Sequence, residues 1–142
     1  MTSIKTEPTS IFTEYINLTQ EYQVKYGPRT ILLMQVGAFF EVYGLKDNEG
    51  IIHKTHIAEF AQLSNLNISE KKATYGEYQV VMAGFRDYTL EKYLQKITEG
   101  GYSAVVYVQE KDGKNITRTF HSVHSAGTYI SYETDMSPQI TN

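Results

Sequence analysis

The sequence predicts an α/β domain, a mixed sheet of about five to six strands flanked by about three helices. Three observations carry this. Apolar residues recur at helical spacing in 11–26 and in 90–97, whereas 31–43, 78–82 and 102–109 are rich in β-branched and aromatic residues. Helical and extended segments alternate along the chain, the order expected of helices layered on a sheet. Asp112-Gly113, set between two extended runs, signals a hairpin that closes the series.

Each element has a local reason. Thr9 or Ser10, just after Pro8, can cap the first helix, whose apolar face is Phe12, Tyr15, Ile16, Thr19, Tyr22 and Tyr26. Gly27-Pro28 ends it, because glycine accepts a left-handed C-terminal position and proline cannot continue the helix. Residues 31–43 read as one extended strand. At a period of two, Leu32, Met34, Val36, Ala38, Phe40 and Val42 point to the core, and Ile31, Leu33, Gln35, Gly37, Phe39, Glu41 and Tyr43 to the other face. Residues 47–50 form a turn, and Ile51-Ile52 starts a short returning strand. A short helix over 57–63, a strand fragment over 66–68 and an exposed loop over 69–76 follow, then a strand over 78–82. Asp87 or Thr89 caps a helix in which Leu90, Tyr93, Leu94 and Ile97 fall at i, i+3, i+4 and i+7, and Gly100-Gly101 ends it. Residues 102–109 form a buried strand, 116–123 return from the hairpin, and 128–132 add a last short strand. Residues 1–8 and 133–142 read as loose ends around one domain, 9–132.

The bulk numbers narrow the function. A chain of 142 residues suits one domain with a real core. It has no cysteine, so disulfides and thiolate metal sites are excluded. No run approaches a membrane span and no signal peptide is visible, which points to an intracellular protein; cytoplasm, nucleus, mitochondrion and viral factory all fit. The net charge is −3. Non-specific duplex binding comes mostly from lysine and arginine neutralising phosphates, so this chain alone lacks the excess for tight binding.

Phe39 and Glu41 share one face beside Gly37, with Phe40 on the other. A large ring next to a carboxylate looks like a wedge with a hydrogen-bonding neighbour. The plainer reading makes Phe39 a half-buried strand aromatic, Glu41 a solvated carboxylate and Gly37 a bulge or close-packing site. His53-x-x-His56 and His121-x-x-His124 invite a metal, but i and i+3 point to opposite faces of a strand. Glu70-Lys71-Lys72 fits half of a nuclease metal site, although no aspartate sits on a neighbouring strand end. A small nuclease-like domain and a protein-interaction module are therefore the rival classes.

Gly37-Ala38-Phe39-Phe40-Glu41 resembles the Gly-x-Phe-Tyr/Phe-Glu motif of the MutS family of mismatch-recognition proteins. The flanks extend the likeness across about residues 10–132: Phe12-Thr-Glu-Tyr15, Ile31-Leu-Leu-Met34, Met82-Ala-Gly-Phe85, Tyr93-Leu94, Gly101-Tyr102, Gln109-Glu110 and His124-Ser-Ala-Gly-Thr128. The wording is most similar to the subgroup of large DNA viruses and some mitochondria. Ala38, Arg86 and Ala126 depart from the family's usual residues. The resemblance implies a MutS domain I-like fold that binds double-stranded DNA carrying mismatches or small loops. Phe39 would enter the minor groove at the mispair and Glu41 would hydrogen-bond a mismatched base, with Gly37 and Phe40 in support. Lys54, Lys71, Lys72, Arg86 and Lys92 are candidates for phosphate contacts, from charge alone. No Gly-x-x-x-x-Gly-Lys-Ser/Thr loop occurs. The domain is thus expected to be non-enzymatic and without a cofactor. ATP and Mg²⁺ belong to the ATPase domain of a larger parent protein, whose remaining domains are its other partners and form the dimer; no membrane is involved.

Overall fold

The computed structural model describes residues 10–126 and 130–132. Helix α1 (Ile11–Tyr26) opens on Ser10, an extended residue whose hydroxyl accepts from the Thr13 N–H at 3.1 Å. Gly27 closes it with a φ of 114°. The strands β1 (Thr30–Val36), β2 (Phe39–Lys46) and β3 (Ile52–His53) follow, then α2 (Ile57–Ser64), β4 (Ser69–Tyr75) and β5 (Tyr78–Arg86). A single 3-10 turn (Asp87–Thr89) leads into α3 (Leu90–Glu99), and β6 (Ser103–Asp112), β7 (Asn115–His124) and β8 (Ile130–Tyr132) complete the sheet. The strand order is β4-β5-β2-β1-β6-β7-β8, with β3 beside β2. β1 and β6 run parallel and the other pairs antiparallel, so the sheet is mixed as expected.

The sheet lies between one helix and two. On one face Tyr43 meets Phe12 and Tyr15 of α1 edge-on, at 5.0 and 5.1 Å, and Tyr22 meets Tyr107 at 5.9 Å. On the other face Phe85 stacks on Tyr93 of α3 at 4.2 Å and leans on Phe60 of α2 and on Phe40. Gly44 and Gly100 allow the close packing: a Cβ on Gly44 would fall 2.5 Å from Ile57 Cγ2, and one on Gly100 2.6 Å from the Leu63 methyls. The core runs through both faces, with Leu32, Leu33, Met34, Val42, Phe60, Val80 and Ala104–Val106 excluded from solvent.

Several expectations are corrected. The stretch 31–43 is not one strand. It reverses at Gly37-Ala38 into the β1–β2 hairpin, which helps lift the strand count to eight among the described residues. Residues 69–75, read as a loop, form edge strand β4, whose register with β5 shifts between Glu70 and Thr74. Polar side chains suit such an edge, so the composition alone suggested a loop. Residues 66–68 are not a strand: Asn65 turns left-handed with φ 57°, and the Leu66 N–H returns to the Ala61 carbonyl as a helix cap. Thr89 precedes α3 without capping it; its hydroxyl donates to the Arg86 carbonyl at 2.6 Å. The ends 1–8 and 133–142, and Gly127 and Thr128 of the closing motif, lie outside the described residues. Among the described residues no helix is long and apolar enough to cross a membrane.

The Tyr15 hydroxyl, fully buried beneath α1, donates to the Leu32 carbonyl at 2.7 Å and ties helix to sheet. Burial pushes its pKa well above the ordinary tyrosine value. Tyr15→Phe keeps the ring and deletes the bond, so it should lower unfolding free energy by about 1 to 2 kcal/mol. Denaturant titration checks this; an unchanged midpoint would show that the hydroxyl contributes nothing.

Candidate nucleic-acid interface

The β1–β2 hairpin decides which side chains reach the surface. Val36 pairs with Phe39 across a two-residue turn, Gln35 with Phe40, and Met34 with Glu41. Gly37 takes φ 60° at the first turn position, a geometry in which glycine carries no steric penalty. A Cβ there would meet nothing within 4 Å, so Gly37 serves conformation, not close packing. The reversal also swaps the assumed faces. Cross-strand partners point the same way, so Phe39, Glu41 and Tyr43 lie on the α1 face with Leu32, Met34 and Val36. Phe40 joins Ile31, Leu33 and Gln35 on the opposite face, where it is buried against Phe85. The grouping of Phe39 with Glu41 stands; the grouping of Phe40 with Leu32 does not.

Phe39 starts β2 at the end of the sheet, and 40% of it is exposed. Its partner on β5 is Arg86, whose guanidinium carbon lies 5.1 Å from the ring centroid. Tyr88, 80% exposed, follows in the adjoining turn. The surface thus offers a ring and a cation side by side, which suits stacked, negatively charged ligands.

Glu41 is not the solvated carboxylate its position suggested. It is 9% exposed, and the Tyr43 hydroxyl donates to its Oε1. Burial, and then the bond to Glu41, hold the Tyr43 pKa well above its ordinary range, so the hydroxyl remains a donor. Gly84 of β5 makes room opposite. A Cβ there would stand 2.8 Å from the Phe40 carbonyl oxygen and 3.3 Å from Glu41 Cγ.

The turn is fastened from three sides. The Gly37 N–H donates to Gln109 Oε1 at 3.0 Å, and the Gln109 N–H donates to Gln35 Oε1 at 3.0 Å. Arg118 Nε donates across β6 to the Gln35 carbonyl at 2.7 Å, and the Asp87 N–H to the Ala38 carbonyl at 2.8 Å. Tyr43, Gly84, Gln35 and Arg118 escaped sequence reading. Gly84, Gln35 and Arg118 are revealed by distant partners, since single-strand patterning carries no cross-strand register; Tyr43 could have been found from its place two residues after Glu41 on the same face.

The expected cations divide. Arg86 lies against Phe39. Lys71 and Lys72 sit on edge strand β4, after Glu70, which pairs with Val81. Val81 lies five positions before Arg86 on β5, about 17 Å at ~3.3 Å per residue. Lys54 follows His53, which pairs with Leu45 toward the far end of β2. Lys92 sits on α3 beside Tyr93, behind the opposite face. None of these four joins the Phe39 surface. His53 and His56 diverge: His53 Nε2 meets Asp47 Oδ2 at 2.7 Å, and His56 Nε2 the Pro28 carbonyl at 2.7 Å. His121 Nδ1 and His124 Nε2, expected on opposite faces, instead both meet Ser122 Oγ, at 3.0 and 2.8 Å, where the β6–β7 register shifts. Glu70 is engaged by Lys46.

A mixed sheet between one helix and two, presenting an aromatic ring and an arginine at a clamped hairpin end, defines an α/β recognition module. Residues 9–133 match the family model described as MutS domain I, and the chain belongs to that family. A protein of Acanthamoeba polyphaga mimivirus, named as a DNA mismatch repair mutS homolog, is 26% identical over 123 residues. The aligned part spans 86% of this chain and 11% of that protein.

Gly84→Ala should force β2 and β5 apart beside Glu41 and cost about 1 to 3 kcal/mol of stability, since the obstacle is backbone. Thermal or denaturant unfolding measures it. Wild-type stability in the variant would show that the strands yield freely there.

Proposed function

We propose that this domain recognises mispaired or looped double-stranded DNA as one module of a larger mismatch-repair ATPase, with no catalytic role of its own. The observation that carries the reading is the half-exposed Phe39 ring beside Glu41 on one sheet face, in a chain of the MutS domain I family.

The mechanism follows from the energetics of stacking. Unstacking an intact base step costs a few kcal/mol. A mispair or unpaired base resists less, so a ring pressed into the minor groove finds defects by their deformability. Phe39 inserts at the mispair, stacks on one base and helps hold a kink. Arg86 already lies against that ring, so insertion brings its charge close to the backbone. Glu41 has one oxygen engaged by Tyr43, which leaves Oε2 to meet a base edge. Ionised it accepts a hydrogen bond, and protonated it donates one. Intact duplex offers no free base edge, so the carboxylate there meets only phosphate repulsion.

The net charge of −3 sets the affinity. Few phosphates are neutralised, so the domain by itself binds weakly and with salt sensitivity, while the other domains of the complete protein hold the duplex. Its partners are thus mismatched DNA and those domains, which bring ATP and Mg²⁺ with them. Residues 9–132 form the recognition unit.

In the complete protein, Phe39→Ala should abolish the preference for mismatched over matched duplex in a binding titration. Retained discrimination would remove the wedge role. Glu41→Ala should reduce the preference less and tighten binding to matched duplex; equal weakening on all duplexes would contradict its assigned part. Arg86→Ala should weaken both duplexes alike and reduce the slope of log affinity against log salt by about one. An unaltered slope would show that Arg86 touches no phosphate.

A further inference from the structure

We infer that Gln109, held by Gln35, which Arg118 in turn braces, is a positioning residue for the recognition ring, and that it sets how well the domain discriminates. This rests on the wedge role proposed for Phe39. The β1–β6 pairing ends at Met34 and Tyr107, short of the turn. Beyond that point two side-chain amides take over from the backbone. Gln35 Oε1 receives the Gln109 N–H, and Gln109 Oε1 receives the Gly37 N–H, each at 3.0 Å. Arg118 reaches over β6 from β7 to hold the Gln35 carbonyl at 2.7 Å. On the other side the Asp87 N–H holds the Ala38 carbonyl at 2.8 Å, and Gln35 Nε2 approaches Asp87 Oδ2 at 3.4 Å. Phe39 is the next residue in the chain, so β5 and β6 both fix its backbone.

The reason lies in the cost of ordering. A two-residue turn at a sheet end frays unless something beyond the ladder ties it down. If the ring wandered, insertion would have to freeze it each time, and that cost would be subtracted from mismatch binding. Matched duplex is not entered and gains nothing from a fixed ring. Loss of the tie therefore lowers mismatch affinity selectively. A residue needed only for folding would lower both affinities together, through the fraction of folded protein.

The experiment compares Gln109→Ala, Gln109→Glu and Phe39→Ala in the complete protein, on matched and mismatched duplex of one length and one salt concentration. Gln109→Glu keeps an acceptor for the Gly37 N–H. Gln109→Ala should lose about threefold to tenfold in mismatch affinity, the size of one side-chain ordering cost, with matched affinity unchanged. Gln109→Glu should restore most of the loss. Hydrogen exchange at the Gly37 amide should accelerate in Gln109→Ala and remain slow in Gln109→Glu. If Phe39→Ala abolishes discrimination while Gln109→Ala leaves it intact, the positioning role is wrong and the wedge stands. If Phe39→Ala itself leaves discrimination intact, the wedge reading has failed, and the present inference goes with it. Equal losses on both duplexes without rescue by glutamate would assign Gln109 to folding alone.

Discussion

The two-residue reversal at Gly37-Ala38 governs the recognition surface. Side chains alternate along a strand, so wherever a chain turns decides which residues face which layer. Here the turn sets Phe39 at the first position of β2, opposite Val36 and Arg86, at the margin of the sheet. Glu41 and Tyr43 follow at two-residue intervals on the same face, each further under α1. One face thus grades from solvent to core within five residues: an exposed ring, a nearly covered carboxylate, and a tyrosine closed in by Phe12 and Tyr15. Gly37 makes the turn possible, and Gly84 leaves space for what the turn delivers.

Much of this was legible in the chain. The helix faces of α1 and α3, the glycine stops, the Asp112-Gly113 hairpin and the buried run in β6 follow from local patterns, because their periods and turn residues are local. The pairing of Phe39 with Glu41 also survives, since two residues separated by one share a face in any strand. What escaped depends on long-range register. Residues 31–43 are apolar nearly throughout, so both phases of the alternation looked acceptable, and Gly37-Ala38 lacks the strong turn signal of Asp112-Gly113. β4 carries polar residues because it forms an edge, and polarity suggested a loop. Charge without position gave Lys54, Lys71, Lys72 and Lys92 equal standing with Arg86, and only the sheet separates them.

The acidic balance of the chain fits the wedge role proposed for Phe39. A module that gripped any duplex through many cations would spend its affinity on undamaged DNA. On the proposed reading, one arginine beside one ring, with a carboxylate beneath, would make binding depend on whether the helix can be deformed. Selectivity in such a module comes from how little it gains on intact duplex.

The shifted register of β4 bears on association. An outermost strand shows a row of unpaired N–H and C=O groups, an open invitation to another chain. Here the irregularity between Glu70 and Thr74 interrupts the row, and Lys71 and Lys72 fall inside it. A visiting strand would find its hydrogen-bond spacing broken and would bring its own side chains beside two lysines. These lysines, remote from the Phe39 surface, stand where charge would oppose sideways growth of the sheet.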